Sequence, residues 1–249
     1  MHNEPGVRLP VHQTRGECQM NKEKNCIKEK FSIDGKEVTL YPAQESSSPL
    51  IVLNQYDDDG AAVLEEVRKL TGKDFHLLCV SNINWNHDMS PWFCPPIMSQ
   101  DTAYTGGADQ YLTFLLEEIL PEGLKRLNGQ PSRICIAGYS LAGLFALYAL
   151  YRTEVFDSAA SMSGSLWYPD FRKYVESHEM KKRPDKLYLS LGDKEAKTRN
   201  PYMKTVLDNT EAIAAYYRAA GLQVTMELNP GNHFRDAELR IAKGIAGIL

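Results

Sequence analysis

No apolar run in this 249-residue chain approaches the roughly 20 residues that a bilayer-spanning helix needs. The opening Met1-His-Asn-Glu-Pro-Gly also has no apolar stretch of the kind a secretory signal carries. Cysteine is scarce and odd in number, five residues (Cys18, Cys26, Cys79, Cys94, Cys135) without zinc-like spacing. Free thiols in a reducing compartment are the expectation, so the expected location is cytoplasmic. Excess positive charge is missing as well. Lys and Arg total 28 against 32 Asp and Glu, a net charge of -4, which argues against a nucleic-acid or anionic-membrane partner. Repeats, low-complexity tracts and an interdomain linker are absent. What is present is an ordinary globular composition, 43% hydrophobic and 24% charged, with length enough for one large α/β domain.

Residues 1–26 carry few large apolar side chains and no periodicity, so a loosely held arm is expected there, followed by a single domain over 27–249. Within that domain Glu37–Tyr41 alternates like an edge strand, and Leu50–Leu53 and Phe75–Val80 read as buried strands. Between them Asp57-Asp-Asp-Gly60 can cap a helix whose face is Val63, Leu64, Val67 and Leu70, ended by Gly72. Residues 82–107 have no clear period but crowd Trp85, His87, Trp92, Phe93 and Tyr104 together, the content of an ordered loop near a site. A helix over Ala108–Leu120 follows. Further strands are expected at Ile134–Ala137, Ser158–Met162, Leu187–Leu191 and Gln223–Leu228, with helices at Leu141–Arg152, about Met203–Tyr217 and at the C-terminus. Strands alternating with helices predict an α/β fold, a mostly parallel sheet covered on both faces.

The chemistry begins at Gly138-Tyr-Ser140-Leu-Ala-Gly143. A buried strand precedes it and a Leu- and Ala-rich helix follows, the context in which G-x-S-x-G forms a nucleophile elbow. Ala142 stands where the second Gly is usual, and being the next smallest residue it still lets the turn close. A serine hydroxyl is a weak nucleophile at neutral pH and needs a base, itself held by an acid. Of six histidines, His2 and His12 lie in the arm, His76 starts a strand, His178 sits among charges and His87 belongs to the aromatic loop as a pocket residue. His233 follows the last strand in Asn229-Pro-Gly-Asn-His-Phe234, at the edge where parallel sheets hold ligands, and is the expected base. The loop after the preceding strand, Leu191-Gly-Asp193-Lys-Glu195, offers two carboxylates, Asp193 and Glu195, for the acid. The chain order Ser, acid, His is the one associated with α/β-hydrolases.

Taken together, Gly138–Leu150, Ser163-Gly-Ser-Leu-Trp-Tyr168, Leu191–Glu195 and Asn229–Phe234 resemble the Putative esterase branch of the α/β-hydrolases. That branch includes esterase D and the enterobactin and salmochelin trilactone esterases. The resemblance runs from about Leu50 to the C-terminus. It implies an α/β-hydrolase fold, a serine hydrolase of small-molecule carboxylic esters, and no cofactor or metal. It also implies an oxyanion hole of two backbone N–H groups, Leu141 and one of Gln55 or Tyr56, in a loop less Gly-rich than in many relatives. Trp167 matches an aromatic of the branch, and with Trp85 and Trp92 it is expected to border the pocket mouth. Relatives place their acid three residues after a glycine such as Gly192, which favours Glu195 over Asp193. Competing readings are a thioesterase of the formylglutathione type, a carbohydrate acyl esterase, or a hydrolase-fold binding protein without turnover.

Overall fold

The computed structural model describes residues 28–97 and 102–249; the expected arm, with Cys18, Cys26, His2 and His12, lies outside them. Strands β1 (Glu29–Ile33) and β2 (Lys36–Tyr41) form a hairpin, and β3 (Leu50–Asn54) leads into helix α1 (Ala61–Leu70). After β4 (His76–Ser81) come the short α2 (Trp85–Asp88) and a ribbon of β5 (Phe93–Cys94) and β6 (Tyr104–Thr105). One long helical run then holds α3 (Ala108–Phe114), a π-helical stretch Leu115–Ile119 and α4 (Leu120–Lys125). The rest alternates: β7 (Ile134–Tyr139), α5 (Leu141–Ala149), β8 (Ser158–Met162), α6 (Phe171–Ser177), β9 (Lys186–Gly192), α7 (Val206–Ala219), β10 (Val224–Asn229) and α8 (Ala237–Ile248).

The eight-stranded sheet has the order β1-β2-β4-β3-β7-β8-β9-β10, and every pairing from β4 to β10 is parallel. Successive residues of the central strands face opposite layers. Leu50, Val52, Leu78, Val80 and Ile136 pack towards α3, α5 and α7. Ile51, Leu53, Leu77, Cys135 and Ala137 pack towards α1 and α8. Burying each Leu, Ile or Val on either side contributes about 1.5–3 kcal/mol, which is why these strands read as unbroken apolar runs. Among the described residues no helix is long and apolar enough to cross a membrane.

Several expectations are corrected. Glu37–Tyr41 is not the edge of the sheet, because β1 pairs outside it. The hairpin turns through Asp34 and Gly35, both at positive φ (45° and 76°), the two-residue turn that an Asp-Gly pair favours. Leu70 is 45% exposed rather than on the buried face of α1, and the helix ends at Leu70 with Thr71 as its C-cap, just before the expected Gly72. The acidic run does serve its start: Asp58 and Asp59 accept the N–H groups of Gly60 and Ala61. The helix expected to stop at Leu120 continues to Lys125, Pro121 being accommodated at the start of its last segment.

Candidate active site

The elbow is tight by construction. Ser140 sits at φ 59°, ψ −123° between β7 and α5, a backbone conformation that costs a non-Gly residue about 1–3 kcal/mol. Four backbone bonds hold it there. Its N–H donates to Met162 O at 3.1 Å, and its carbonyl accepts from Gly143 (3.1 Å), Leu144 (3.2 Å) and Ser165 (2.9 Å). At Gly138 a Cβ would lie 2.2 Å from the Ala142 carbonyl oxygen, so only glycine fits there, and Ala142 is itself fully buried in that contact.

Three loops at the carboxyl edges of β7, β9 and β10 then meet. His233 Nε2 lies 3.1 Å from Ser140 Oγ, and His233 Nδ1 lies 2.7 Å from Glu195 Oε2. With a carboxylate accepting at Nδ1, the proton belongs on that nitrogen and Nε2 is left as the acceptor facing the serine. Asp193 is turned elsewhere. Its Oδ1 accepts the Gly231 N–H at 2.7 Å, while its own N–H donates to Asn229 O (2.8 Å) and that of Lys194 donates to Gly231 O (3.1 Å). Asp193 therefore laces the histidine loop to the acid loop. Contact is so close that a Cβ on Gly192 would stand 2.4 Å from Gly231 O.

Glu195 is almost fully enclosed, its side chain 5% exposed. Its Oε1 accepts from Gly192 N–H (2.6 Å), Ser163 Oγ (2.7 Å) and Arg240 Nη1 (3.0 Å). Burial alone pushes this carboxyl up. The hydrogen bond and charge of His233, with the donors Ser163 and Gly192, outweigh it and hold the group below its ordinary 4.5. Tyr139 adds a clamp from below by donating its hydroxyl to His233 O at 2.6 Å.

Ser140 and His233 lie where two lobes of a cleft join. One, of about 420 Å³, is lined by Tyr104, Leu141, Ser165, Trp167, Lys194 and Lys197 among others. The other, of about 350 Å³, is lined by Gln55, Tyr56, Asp58, Tyr139, Glu238 and Ile241. Trp85 and Phe234 belong to both, and Phe234 is 88% exposed. Of the residues expected at the pocket, Trp85 and Trp167 are there. Trp92 and His87 are not. Trp92 packs among Tyr148, Tyr168, Phe171 and Tyr174 and donates its indole N–H to Pro169 O (3.1 Å). His87 is spent on Thr105 Oγ1 at 2.6 Å and packs on Gly107. Their proximity in sequence to Trp85 concealed this, since α2 and the β5–β6 ribbon turn the segment back into the core. The two tryptophans should thus respond oppositely to truncation. Trp167→Ala is expected to reorder a panel of ester substrates, and Trp92→Ala to lower stability by about 3–5 kcal/mol with the order unchanged, as read by melting curves and kinetics on the same panel.

A family model of esterases, described as Putative esterase, matches residues 61–237. The chain belongs to that family. The esterase has an α/β-hydrolase fold, and several solved structures share it. The siderophore hydrolase EstA from Aspergillus nidulans aligns with a TM-score of 0.71 at 20% identity, over 94% of this chain and 97% of its own. An IroE-like serine hydrolase from Shewanella oneidensis gives 0.73 at 18% identity, over 88% and 78% of the two chains. The enterobactin esterase FES from Shigella flexneri gives 0.65 at 17%, over 89% of this esterase and 58% of its own longer chain. No curated protein matches the sequence. The esterase is a hydrolase of carboxylic esters.

Sequence reasoning passed over Ser163, Ser165 and Arg240. Ser165 Oγ is 3.4 Å from Ser140 Oγ, and Ser163, at φ 45°, donates its hydroxyl to Glu195 Oε1. Ser163-Gly-Ser165 after β8 was a visible signal, small polar residues at the carboxyl edge of a central strand. Arg240 carried no such signal, because a charged residue in an amphipathic helix reads as solvent-facing.

Proposed function

We propose that the esterase cleaves its substrate through an acyl-enzyme, with Ser140 as nucleophile, His233 as general base and Glu195 as the acid that orients it. The carrying observation is the unbroken line from Ser140 Oγ to His233 Nε2 (3.1 Å) and from His233 Nδ1 to Glu195 Oε2 (2.7 Å). Ser140 Oγ attacks the ester carbonyl carbon while its proton passes to His233 Nε2, and Glu195 stabilises the imidazolium that forms. The imidazolium returns the proton to the departing alkoxide. Water then repeats the sequence on the acyl-enzyme, giving the acid and free Ser140.

The oxyanion needs two donors aimed at one point. Leu141 is the first residue of α5, so its N–H has no partner inside the helix. The second donor was open between Gln55 and Tyr56. Gln55 N–H is committed to Val80 O at 2.8 Å, and among the described residues no acceptor takes the Tyr56 N–H. These facts favour Tyr56. For the substrate, the aromatic surfaces of Trp85, Tyr104, Trp167 and Phe234 around the serine favour an ester with a flat, apolar acyl or alcohol part. Cys79, Cys94 and Cys135 are buried free thiols, which supports a reducing, cytoplasmic setting.

The test is covalent labelling by an alkyl fluorophosphonate followed by mass spectrometry. One adduct per chain is expected, on Ser140. A folded protein that stays unlabelled would leave the fold as a binding module and overturn this reading.

A further inference from the structure

Arg240 lies on α8, outside every segment that carries the proposed chemistry, yet among the described residues it is the largest side chain enclosed below 2% exposure. Its guanidinium touches four different pieces of the site. Nη1 is 3.0 Å from Glu195 Oε1, 3.1 Å from Ser163 Oγ and 3.3 Å from Tyr139 Oη, and Nη2 is 3.1 Å from Pro230 O. Glu195, Ser163 and Pro230 follow β9, β8 and β10, and Tyr139 is the last residue of β7. Tyr139 and Pro230 in turn hold the histidine loop, Tyr139 by its bond to His233 O and Pro230 by its place in that loop. A buried cation is costly unless it is paired, and it is retained where its charge or its geometry is needed.

We infer that Arg240 is a positioning residue for the hydrolysis, a buried counter-charge on the far oxygen of Glu195 that fixes the carboxylate and keeps His233 unprotonated for its task as base. This rests on the reading of Glu195 and His233 given above. The physical argument is one of charge count. Glu195 has two oxygens, and each faces a different cation-forming group: Oε2 faces His233 and Oε1 faces Arg240. Without Arg240, the carboxylate would give its whole charge to the imidazole. The Glu195–His233 pair would then take up its proton more readily, and at higher pH, than it does with a permanent cation beside it. A protonated imidazole cannot accept from Ser140. Arg240 thus widens the pH range over which the base is competent.

Other charged and titratable groups surround the pair. Tyr139 comes from β7, Asp193 from the acid loop (engaged with Gly231), Lys194 and Lys197 line one lobe, and Asp58 and Glu238 line the other. Among the described residues only Arg240 forms an ion pair with the Glu195 oxygen that His233 leaves free. A neutral replacement of Arg240 removes its charge together with its four hydrogen bonds, and R240K restores the charge alone.

The experiment is the pH dependence of kcat/KM for a neutral aryl ester in R240M, R240Q and R240K. The neutral variants should lose activity at neutral pH, with the acid limb of the profile displaced upward by on the order of one pH unit. R240K restores the charge without the fork, so its limb should return to within about 0.3 of the wild-type position while kcat stays below wild type. A merely structural role moves the limb the other way or not at all, because an imidazole that has lost its carboxylate is harder to protonate. A folded neutral variant with an unmoved or lowered limb overturns the inference. Where neither neutral variant folds, R240K carries the test alone, and a wild-type kcat there, or a limb displaced in either direction by more than about 0.3, overturns it. Failure of the triad reading itself is seen separately, as Ser140→Ala retaining turnover.

Discussion

Ser140→Ala is expected to abolish turnover while leaving the fold intact. Alanine occupies the same backbone conformation and removes only Oγ, whose partners are His233 and Ser165 at the cleft floor. Loss of a nucleophile of this kind costs roughly five to six orders of magnitude in kcat, and the remainder comes from binding and oxyanion donors. His233→Ala should fall nearly as far, and the double variant little further, because nucleophile and base act as one unit. Purified variants with wild-type melting curves, assayed with an aryl ester, decide it. Residual hydrolysis at more than about one part in ten thousand in S140A, or a double variant far slower than either single one, would remove the pair from the mechanism.

The second large effect concerns the two carboxylates. Glu195→Gln is expected to lower kcat by roughly two to four orders of magnitude, since an amide can present its NH2 to Nδ1 and favour the wrong imidazole tautomer. It should also destabilise the fold, by about 3–5 kcal/mol, because Arg240 is left buried without its counter-charge. Kinetics therefore belong well below the variant's melting temperature. Asp193→Asn keeps an oxygen for the Gly231 N–H and should change kcat less than about tenfold. The reverse ranking in folded proteins would transfer the acid's role. The wild-type carboxyl also bears on acid stability. Its folded value is held below 4.5, so the stabilisation it contributes is complete above the ordinary carboxylate range and is lost as pH falls through the lowered value.

How much of this was legible in the residues depends on the kind of constraint. The strand–turn–helix at Ser140 was legible because a tight elbow demands small residues at fixed positions and a buried strand before it. His233 was legible by its place at the end of the last parallel strand. The hairpin of β1 was missed although Asp34-Gly35 is a strong turn signal, because Glu29-Lys-Phe-Ser-Ile33 has only two apolar residues to mark a half-buried edge. The reach of the long helix past Pro121 was missed for a different reason. A π-helical stretch before the proline changes the hydrogen-bond register there, and period alone does not report it. Trp92 and Arg240 were the hardest, and for one physical reason. Whether a tryptophan faces a cleft, or an arginine faces the interior, is decided by segments distant in sequence: Pro169 and Tyr174 for the one, Glu195 and Tyr139 for the other.

The left-handed backbone of Ser140 has a consequence for the evolution and engineering of the protein. The residue proposed as the nucleophile is also the one its chain would rather not have, since every L side chain with a Cβ is strained at φ 59°. Ser140→Gly should therefore yield a dead protein that outlasts the live one, gaining about 1 kcal/mol once the extra freedom of glycine in the unfolded chain is subtracted. Selection for thermal endurance alone, without a requirement for turnover, would find that exchange open to it. A library screened only by residual solubility after heating is expected to enrich glycine at this position, and screening for hydrolysis in parallel is what keeps the serine.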